Sequence, residues 1–214
     1  MRVEFCGSLK VKGRRTRQGT AAGLWEGSPV GTRMTRQVQK ADQTGRAWGI
    51  FGLPAEGPFP GMEEKLALFG QFVGDWQIVE DRYLQDDGTW LKSRGELHVD
   101  WILEGRALQD TFMTFDEKTH KMIPDGTTLR YYDRKIDAWH VVWFSPMQGA
   151  IKQLIGRKVG DEIVLERRTD EGYLVKWIFS EIKASSFRWH SEESRDEGKT
   201  WKLREEMRVR RMSD

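Results

Sequence analysis

Few side chains in this chain are placed where they could transfer a proton. Glu205 stands between Leu203 and Met207 on the apolar side of the last predicted strand. Burial there would raise its pKa and suit it to general acid or base catalysis. His140 shares one side of a strand with Val142, and both sides of that strand are apolar. Glu205 and His140 are therefore the catalytic candidates.

Each candidate also has a purely structural interpretation. An inward carboxylate such as Glu205 could pair with an inward arginine, for which Arg167 is the candidate partner. A histidine whose hydrogen bonds are satisfied within the core would explain His140 without catalysis. These alternatives leave open whether the protein is an enzyme.

No metal or cofactor site is indicated by the remaining residues. The lone cysteine, Cys6, excludes Cys-x-x-Cys sites and an intrachain disulfide. The histidines are too widely spaced for a His-x-His or His-x-x-x-His pair. They are His98, His120, His140 and His190. The chain also lacks a Ser/His/Asp order, a phosphate-binding loop and a dinucleotide fingerprint, so we predict neither a metal nor a cofactor.

One short motif matches a known pattern at every specified position. Residues 194–201 read Ser-x-Asp-x-Gly-x-Thr-Trp, the Asp-box of sialidase propellers. In that box the Ser and Asp side chains bond the turn backbone, and Gly adopts a positive φ. A propeller needs about four or more repeated blades, whereas this chain carries a single box. The motif therefore predicts a hairpin between the last two strands and not a sialidase.

The elements that must position these residues are predicted to be strands. A short helix over about 62–71 is followed by alternating apolar and polar residues, cut by turn sequences. The connections are too short for parallel crossovers, and a meander of this length closes to remove its edges. We predict an all-β fold, an antiparallel up-and-down β-barrel of about 8–10 strands with a short N-terminal helix. The predicted strands are 75–85, 89–102, 106–115, 127–133, 138–145, 150–156, 162–169, 173–181, 187–193 and 200–210.

Tryptophan dominates the predicted interior of this barrel. Nine of the ten Trp residues follow residue 47, and the alternation in the last strand also points Trp201 and Leu203 inward. A barrel of this size either fills itself with side chains or leaves room for one small ligand. The alternative to a ligand site is that the rings are only core. The predicted ligand-binding residues are Tyr131, Trp139, Trp143, Trp177, Trp189 and Glu205.

Composition divides the chain near residue 60. Residues 1–60 contain ten Lys/Arg, four Asp/Glu and ten Gly, without a lasting apolar period. They predict a basic, disordered leader before a barrel domain at 61–214, and an upstream start codon is an alternative origin for that leader. No stretch has the apolar length of a secretory signal or a membrane span, so the expected location is cytoplasmic, without a membrane partner.

Charge restricts the expected partners. The chain has 35 Lys/Arg and 33 Asp/Glu, a net charge of +2, which is too small for the field of a dedicated nucleic-acid binder. The expected partner is a small apolar or aromatic molecule, and a homodimer is left open.

The start of the first predicted strand resembles a known signature. Gly74-Asp75-Trp76, directly after the predicted helix, is similar to the Gly-x-Trp of the calycin superfamily, the lipocalins and fatty-acid-binding proteins. The resemblance implies a ligand-holding barrel in which Arg208 or Arg210 covers the Trp76 ring. It carries no catalytic residues. Further segments make residues 62–211 similar to a family of uncharacterised bacterial lipocalin-like proteins: 103–106, 129–133, 139–146 and 187–201.

Two functions from different classes follow. The first is intracellular binding of a small hydrophobic or aromatic molecule in a Trp-lined cavity. The second is a cofactor-free lyase, isomerase or cyclase that uses Glu205 or His140 for acid/base chemistry in the same cavity.

Overall fold

The computed structural model describes residues 54–213, which contain one helix and eleven strands. Residues 1–53 of the predicted leader lie outside the described residues. The elements in chain order are β1 (Pro54–Ala55), α1 (Glu63–Gly70), β2 (Gly74–Leu84), β3 (Trp90–Ile102), β4 (Ala107–Asp116), β5 (Lys121–Asp133), β6 (Ala138–Ser145), β7 (Ala150–Val159), β8 (Glu162–Arg168), β9 (Leu174–Lys183), β10 (Ser186–Ser194) and β11 (Lys202–Arg211).

Strands β2 to β11 close into one barrel. Each pairs antiparallel with the next strand in sequence, and β2 also pairs with β11. Closure gives every strand of the ten two neighbours, so the barrel has no open edge. The predicted all-β, up-and-down antiparallel barrel with a short preceding helix is confirmed.

Helix α1 plugs one end of the barrel, which we call the closed end. Glu63 and Glu64 occupy its first turn, where their negative charge interacts favourably with the helix dipole and stabilises the helix. Leu66 and Phe69 recur on one face and are almost fully buried among the barrel side chains. The opposite end, where the β2–β3, β4–β5, β6–β7, β8–β9 and β10–β11 turns lie, is the open end. Among the described residues no helix is long and apolar enough to cross a membrane.

The Gly-x-Trp segment seals the closed end. The Trp76 indole N–H donates to the Phe72 carbonyl oxygen at 2.7 Å, and the ring is 1% exposed. The guanidinium of Arg211 lies 4.0 Å from the centre of the Trp76 ring and donates to the Val73 carbonyl oxygen at 2.8 Å. The expectation that Arg208 or Arg210 would cover this ring is therefore wrong.

The correction follows from the alternation of β11. Val209 points into the barrel, so Arg211 shares its side, whereas Arg208 and Arg210 are exposed outside. Arg208 instead pairs with Glu181 on the outer surface at 2.7 Å.

Residues 54–60, which composition assigned to the leader, lie against the barrel. Strand β1 pairs with β3, and the Phe59 backbone N–H donates to the Gly105 carbonyl oxygen at 3.0 Å. Gly105 has a φ of +80°, and a side chain there would collide with the Gly57 carbonyl oxygen. Residues 54–60 thus pack with the barrel, on the other side of the predicted boundary at residue 61.

The Asp-box forms the β10–β11 hairpin, as predicted. Asp196 accepts hydrogen bonds from the Thr200 backbone N–H at 2.9 Å and from the Ser194 hydroxyl at 2.8 Å. The Thr200 bonds are the main reason that the Asp196 pKa falls to about 2. Gly198 adopts a φ of +84°, which glycine tolerates without strain. The motif is a turn-forming device.

The prediction that Trp201 and Leu203 point inward is wrong. Ser191 of β10 pairs with Glu205, whereas the next residue, Glu192, pairs with Leu203, so one residue of β11 bulges out. A bulge reverses the side to which the preceding residues point. The Trp201 ring accordingly lies 4.3 Å from the Lys176 ammonium on the outer surface.

Candidate functional site

The open half of the barrel contains a cavity of about 530 Å³. Residues of β2 to β7 and β9 to β11 line it. Tyr83 and Leu91 are exposed at its mouth, and Phe179 and Phe187 lie at its deep end against the packed core. The cavity therefore opens away from helix α1.

Four of the predicted ligand-binding residues line this cavity: Trp143, Trp177, Trp189 and Glu205. The Trp177 and Trp189 rings meet edge to face with their centres 5.5 Å apart. The Trp143 ring meets Phe112 in the same manner at 6.0 Å. The alternating pattern of β6, β9 and β10 places these rings on the inner side of the barrel.

Trp139 also points inward, but it does not line the cavity. It is 2% exposed and packs edge to face on Phe69 of α1 with ring centres 4.9 Å apart. The helix fills the space in front of this ring. Trp139 is therefore part of the packed core at the closed end.

Tyr131 and His140 lie on the outside of the barrel. Their rings stack 4.8 Å apart at an angle of 19°, and His140 Nε2 is 3.2 Å from a carboxylate oxygen of Asp133. The neighbours of Tyr131 in β5, Arg130 and Tyr132, take the other side. The structure does not bring Tyr131 or His140 to the cavity, so the proton-transfer role considered for His140 has no access to a ligand there.

Glu205 faces the cavity from β11. It forms no hydrogen bond and no ion pair with any residue in 54–213, so the alternative of a pair with Arg167 is not found. Burial, and after it the neighbouring carboxylate of Asp81, raise the pKa of Glu205 to about 8 against the opposing effect of Lys152. Glu205 is thus a protonatable group in contact with open space.

Sequence reasoning missed two further carboxylates of the cavity, Asp81 and Asp125. Asp81 is 8% exposed, and burial raises its pKa. One of its oxygens accepts from the Ser93 hydroxyl at 2.6 Å, while Oδ1 has no partner among the described residues. Asp125 accepts from the Ser145 hydroxyl at 2.8 Å and from the Gln148 amide at 3.1 Å.

A β-bulge stands at or beside each of these three carboxylates. In β2, residues 79 and 80 together face one residue of β3, which turns Asp81 inward. In β5, Asp125 is itself the extra residue, because Phe112 pairs with Gly126 and Met113 with Pro124. In β11, the extra residue directly precedes Glu205. Bulges re-aim side chains and are frequent beside functional sites.

The bulge in β5 also corrects a predicted boundary. Pro124-Asp125-Gly126 was expected to be a turn, and the strand was expected to begin at residue 127. Strand β5 instead begins at Lys121 and runs through all three residues. A Pro and a Gly inside a strand are typical of a bulge, and this was the available signal.

A buried ion pair lies deeper in the cavity wall. Asp110 of β4 pairs with the Arg130 guanidinium and accepts from the Thr128 backbone N–H at 3.1 Å. Asp110 is 2% exposed, and the Arg130 guanidinium lies 5.4 Å from the centre of the Phe69 ring. The sequence analysis did not identify this pair. Asp110 lies two residues after the inward Leu108, so the period of the strand already pointed it inward.

His190 is buried, although its position between Arg188 and Glu192 on one side of a strand predicts an exposed residue. It is 6% exposed on the outer side of β10, beside Arg188. Burial and then the Arg188 charge lower the His190 pKa to about 4. Within residues 54–213, no group of three or more His, Cys, Asp or Glu side chains is placed to hold a metal ion.

No family model and no curated protein matches this sequence. Among solved structures, the fold is similar to the S-type phycobiliprotein lyase CPES from Guillardia theta, with a TM-score of 0.48 and 10% identity over 69% of this chain and 92% of that chain. It is also similar to Rv2717c from M. tuberculosis, with a TM-score of 0.47 and 12% identity over 70% of this chain and 98% of that chain. The likeness to the calycin superfamily and to a bacterial lipocalin-like family stays a prediction.

Proposed function

We propose that the protein binds one small molecule with an apolar or aromatic body in the open half of the barrel. The observation that carries the proposal is a cavity of about 530 Å³ walled by aromatic rings. Binding sites for small molecules commonly measure about 300–1,000 Å³ and combine apolar walls with a few polar groups. Both properties are present here.

The aromatic wall supplies the contact area for such a ligand. Trp177 and Trp189 pack on each other and stay partly exposed to the cavity, whereas core rings of the closed end are 1–6% exposed. An indole beside open space gains contacts when an apolar ligand enters, because each buried Å² of apolar surface contributes about 25 cal/mol. Location in the cytoplasm remains part of this proposal as a prediction.

A second candidate is a cofactor-free lyase, isomerase or cyclase. The observation that favours it is Glu205, a carboxyl with no hydrogen bond among the described residues and a pKa raised to about 8 by burial. Such a group is protonated near neutral pH and could act as a general acid. If the protein is an enzyme, the wild type converts its ligand, and Glu205→Gln should still bind the ligand but lose turnover. If it is a binding protein, neither form changes the covalent structure of the ligand.

Titration with N-phenyl-1-naphthylamine, a neutral probe that fluoresces in apolar sites, tests the binding proposal. We expect a saturable rise in emission with one probe per chain. Thr114 lines the cavity, and Thr114→Trp adds an indole that should fill it and abolish the rise. Ile151→Trp is the matched control, because Ile151 is 65% exposed on the outside.

Two outcomes would contradict the proposal. The wild-type protein could show no saturable emission, which would mean that the barrel is filled in solution. Thr114→Trp could also bind the probe as well as Ile151→Trp does, which would place the probe outside the cavity. Circular dichroism of both variants checks that the barrel has folded.

A further inference from the structure

We infer that the ligand carries a positively charged nitrogen, as an amine or a quaternary ammonium, and that this head lies among Asp81, Asp125 and Glu205. The inference rests on the proposed function, because it names the class of ligand for the same cavity. Its apolar body would lie against Trp177 and Trp189.

The charges of the open half are unbalanced. Three carboxylates, Asp81, Asp125 and Glu205, face the space there, and Lys152 is the single cation among the cavity-lining residues of that half. Arg167 shares the inner side of β8 with Leu165 and is a second cation near this end of the barrel, although it does not line the cavity. Burial lowers the pKa of Lys152, and the Arg167 charge lowers it further. The deeper carboxylate of Asp110 is already neutralised by Arg130, so it adds no net charge.

Two of these carboxylates also have oxygens without a hydrogen-bond donor. Asp81 Oδ1 is buried and has no partner, and Glu205 has none among residues 54–213. A buried oxygen without a donor is costly, because its desolvation is not compensated. An ammonium head supplies both the charge and, where it bears N–H groups, the missing donors.

The aromatic wall favours an organic cation over a metal ion. The Lys152 ammonium lies 5.7 Å from the centre of the Trp177 ring, a distance within reach of cation–π attraction. The carboxylates are distributed around the wall, and no group in the described chain is placed to hold a metal. A cation with an apolar body can contact carboxylates and indoles at the same time.

The protonation of the cavity gives the inference a measurable signature. Burial raises the pKa values of Glu205 and Asp81. The charges of Asp81 and Asp125 raise the Glu205 pKa as well, and the charge of Asp125 raises the Asp81 pKa. A bound cation stabilises the ionised carboxylates, so binding should release protons near neutral pH. Affinity for a cation with no titratable group should therefore rise as the pH rises through about 8.

The test compares three probes of similar shape by calorimetry. Benzyltrimethylammonium is the cation, neopentylbenzene is its neutral carbon isostere, and 3-phenylpropanoate is the anion. We expect the cation to bind about tenfold more tightly than the neutral isostere at alkaline pH, and the anion to bind most weakly. Titration in two buffers of different ionisation enthalpy counts the protons released.

Variants locate the charged head. Glu205→Gln keeps the shape and removes the charge, so the preference for the cation should fall by about tenfold and its pH dependence should flatten. Glu80→Gln is the matched control, because Glu80 is exposed on the outside of β2, next to Asp81. Asp125→Asn removes the charge while its amide oxygen can still accept from the Ser145 hydroxyl, and it is the second variant if Glu205→Gln does not fold.

Each result decides between the inference and its alternatives. Equal affinity for the cation and the neutral isostere, or tighter binding of the anion beside Lys152, overturns the inference. In that case saturable binding of the neutral naphthylamine probe would leave the proposed function standing. Absence of saturable binding by every probe would overturn both.

Discussion

The two halves of this barrel are built from the same strands but end in different states. At the closed end, α1 inserts Phe69, which contacts Trp139 and Phe179 with ring centres 4.9 and 5.9 Å apart. No helix of the described residues inserts at the open end. There the Trp177 ring packs edge to face against Trp189, and both rings also line the cavity. The closed half is a packed core, and the open half contains a cavity.

The difference shows that an inward aromatic residue is not by itself a ligand contact. The alternating pattern that points Trp139 inward also points Trp143, Trp177 and Trp189 inward. Whether the ring then packs or binds depends on what fills the space in front of it. We expect the closed half to supply stability and the open half to supply binding.

The largest effect is expected in the closed half. Trp139→Ala should lower the free energy of unfolding by about 3–5 kcal/mol. The substitution removes the contacts of the ring and leaves a cavity beside Phe69 that helix α1 cannot move to fill. Denaturant unfolding measures this change. Phe144→Ala is the control, since Phe144 is 46% exposed on the outside of the same strand and its removal should cost much less. Equal losses in the two variants would remove the distinction between packed and unpacked rings.

An intermediate effect is expected at the cavity wall. Trp177→Ala should weaken binding of the naphthylamine probe by about 1–3 kcal/mol through lost contact area. Its cost in unfolding free energy should be smaller than that of Trp139→Ala, because Trp177 already faces empty space on one side. Probe titration and denaturant unfolding of the same preparation separate the two quantities. A Trp177→Ala variant that binds normally but unfolds as easily as Trp139→Ala would make Trp177 a core residue.

A third effect depends on pH and on the charge of the open half. The pKa of Glu205 rises from about 4.5 to about 8 on folding, so its contribution to stability is complete at low pH and is lost as the pH rises through about 8. Glu205→Gln should therefore have a higher Tm than the wild-type protein near pH 9 and a similar Tm near pH 4. Each 1 kcal/mol corresponds to about 2–4 °C at this size. A Tm difference between the two proteins that does not change with pH would mean that folding does not raise the pKa of Glu205.

Much of the fold could be predicted because its signals are local. The alternation and the turns predicted ten strands, and those around Trp139, Trp177 and Trp189 lie close to their expected bounds. The helix was readable from Leu66 and Phe69 at helical spacing after two acidic residues. The Asp-box predicted its hairpin because every hydrogen bond of that turn lies within residues 194–201.

The candidate site was only partly predictable. Trp143, Trp177, Trp189 and Glu205 lie on regular stretches of strand, where a period of two holds and their direction can be counted. Tyr131 and His140 were misplaced because the apolar and polar sides of β5 and β6 are mixed at the closed end. Leu129 and Tyr131 are exposed there, while Arg130 is buried.

The local pattern of this sequence was enough to predict the barrel, its helix and the inward direction of Trp139, Trp143, Trp177 and Trp189. Pairing across strands decided the chemistry of the cavity. Asp81, Asp125 and Glu205 each point inward at or beside a bulge, where two residues face one on the neighbouring strand. A bulge is a property of two strands in register, and a single residue of offset exchanges the inner and outer sides. No count along one strand contains that offset, so Asp81 and Asp125 come to the cavity only in the folded protein, whereas Glu205 could be counted from Met207 on the regular stretch after its bulge.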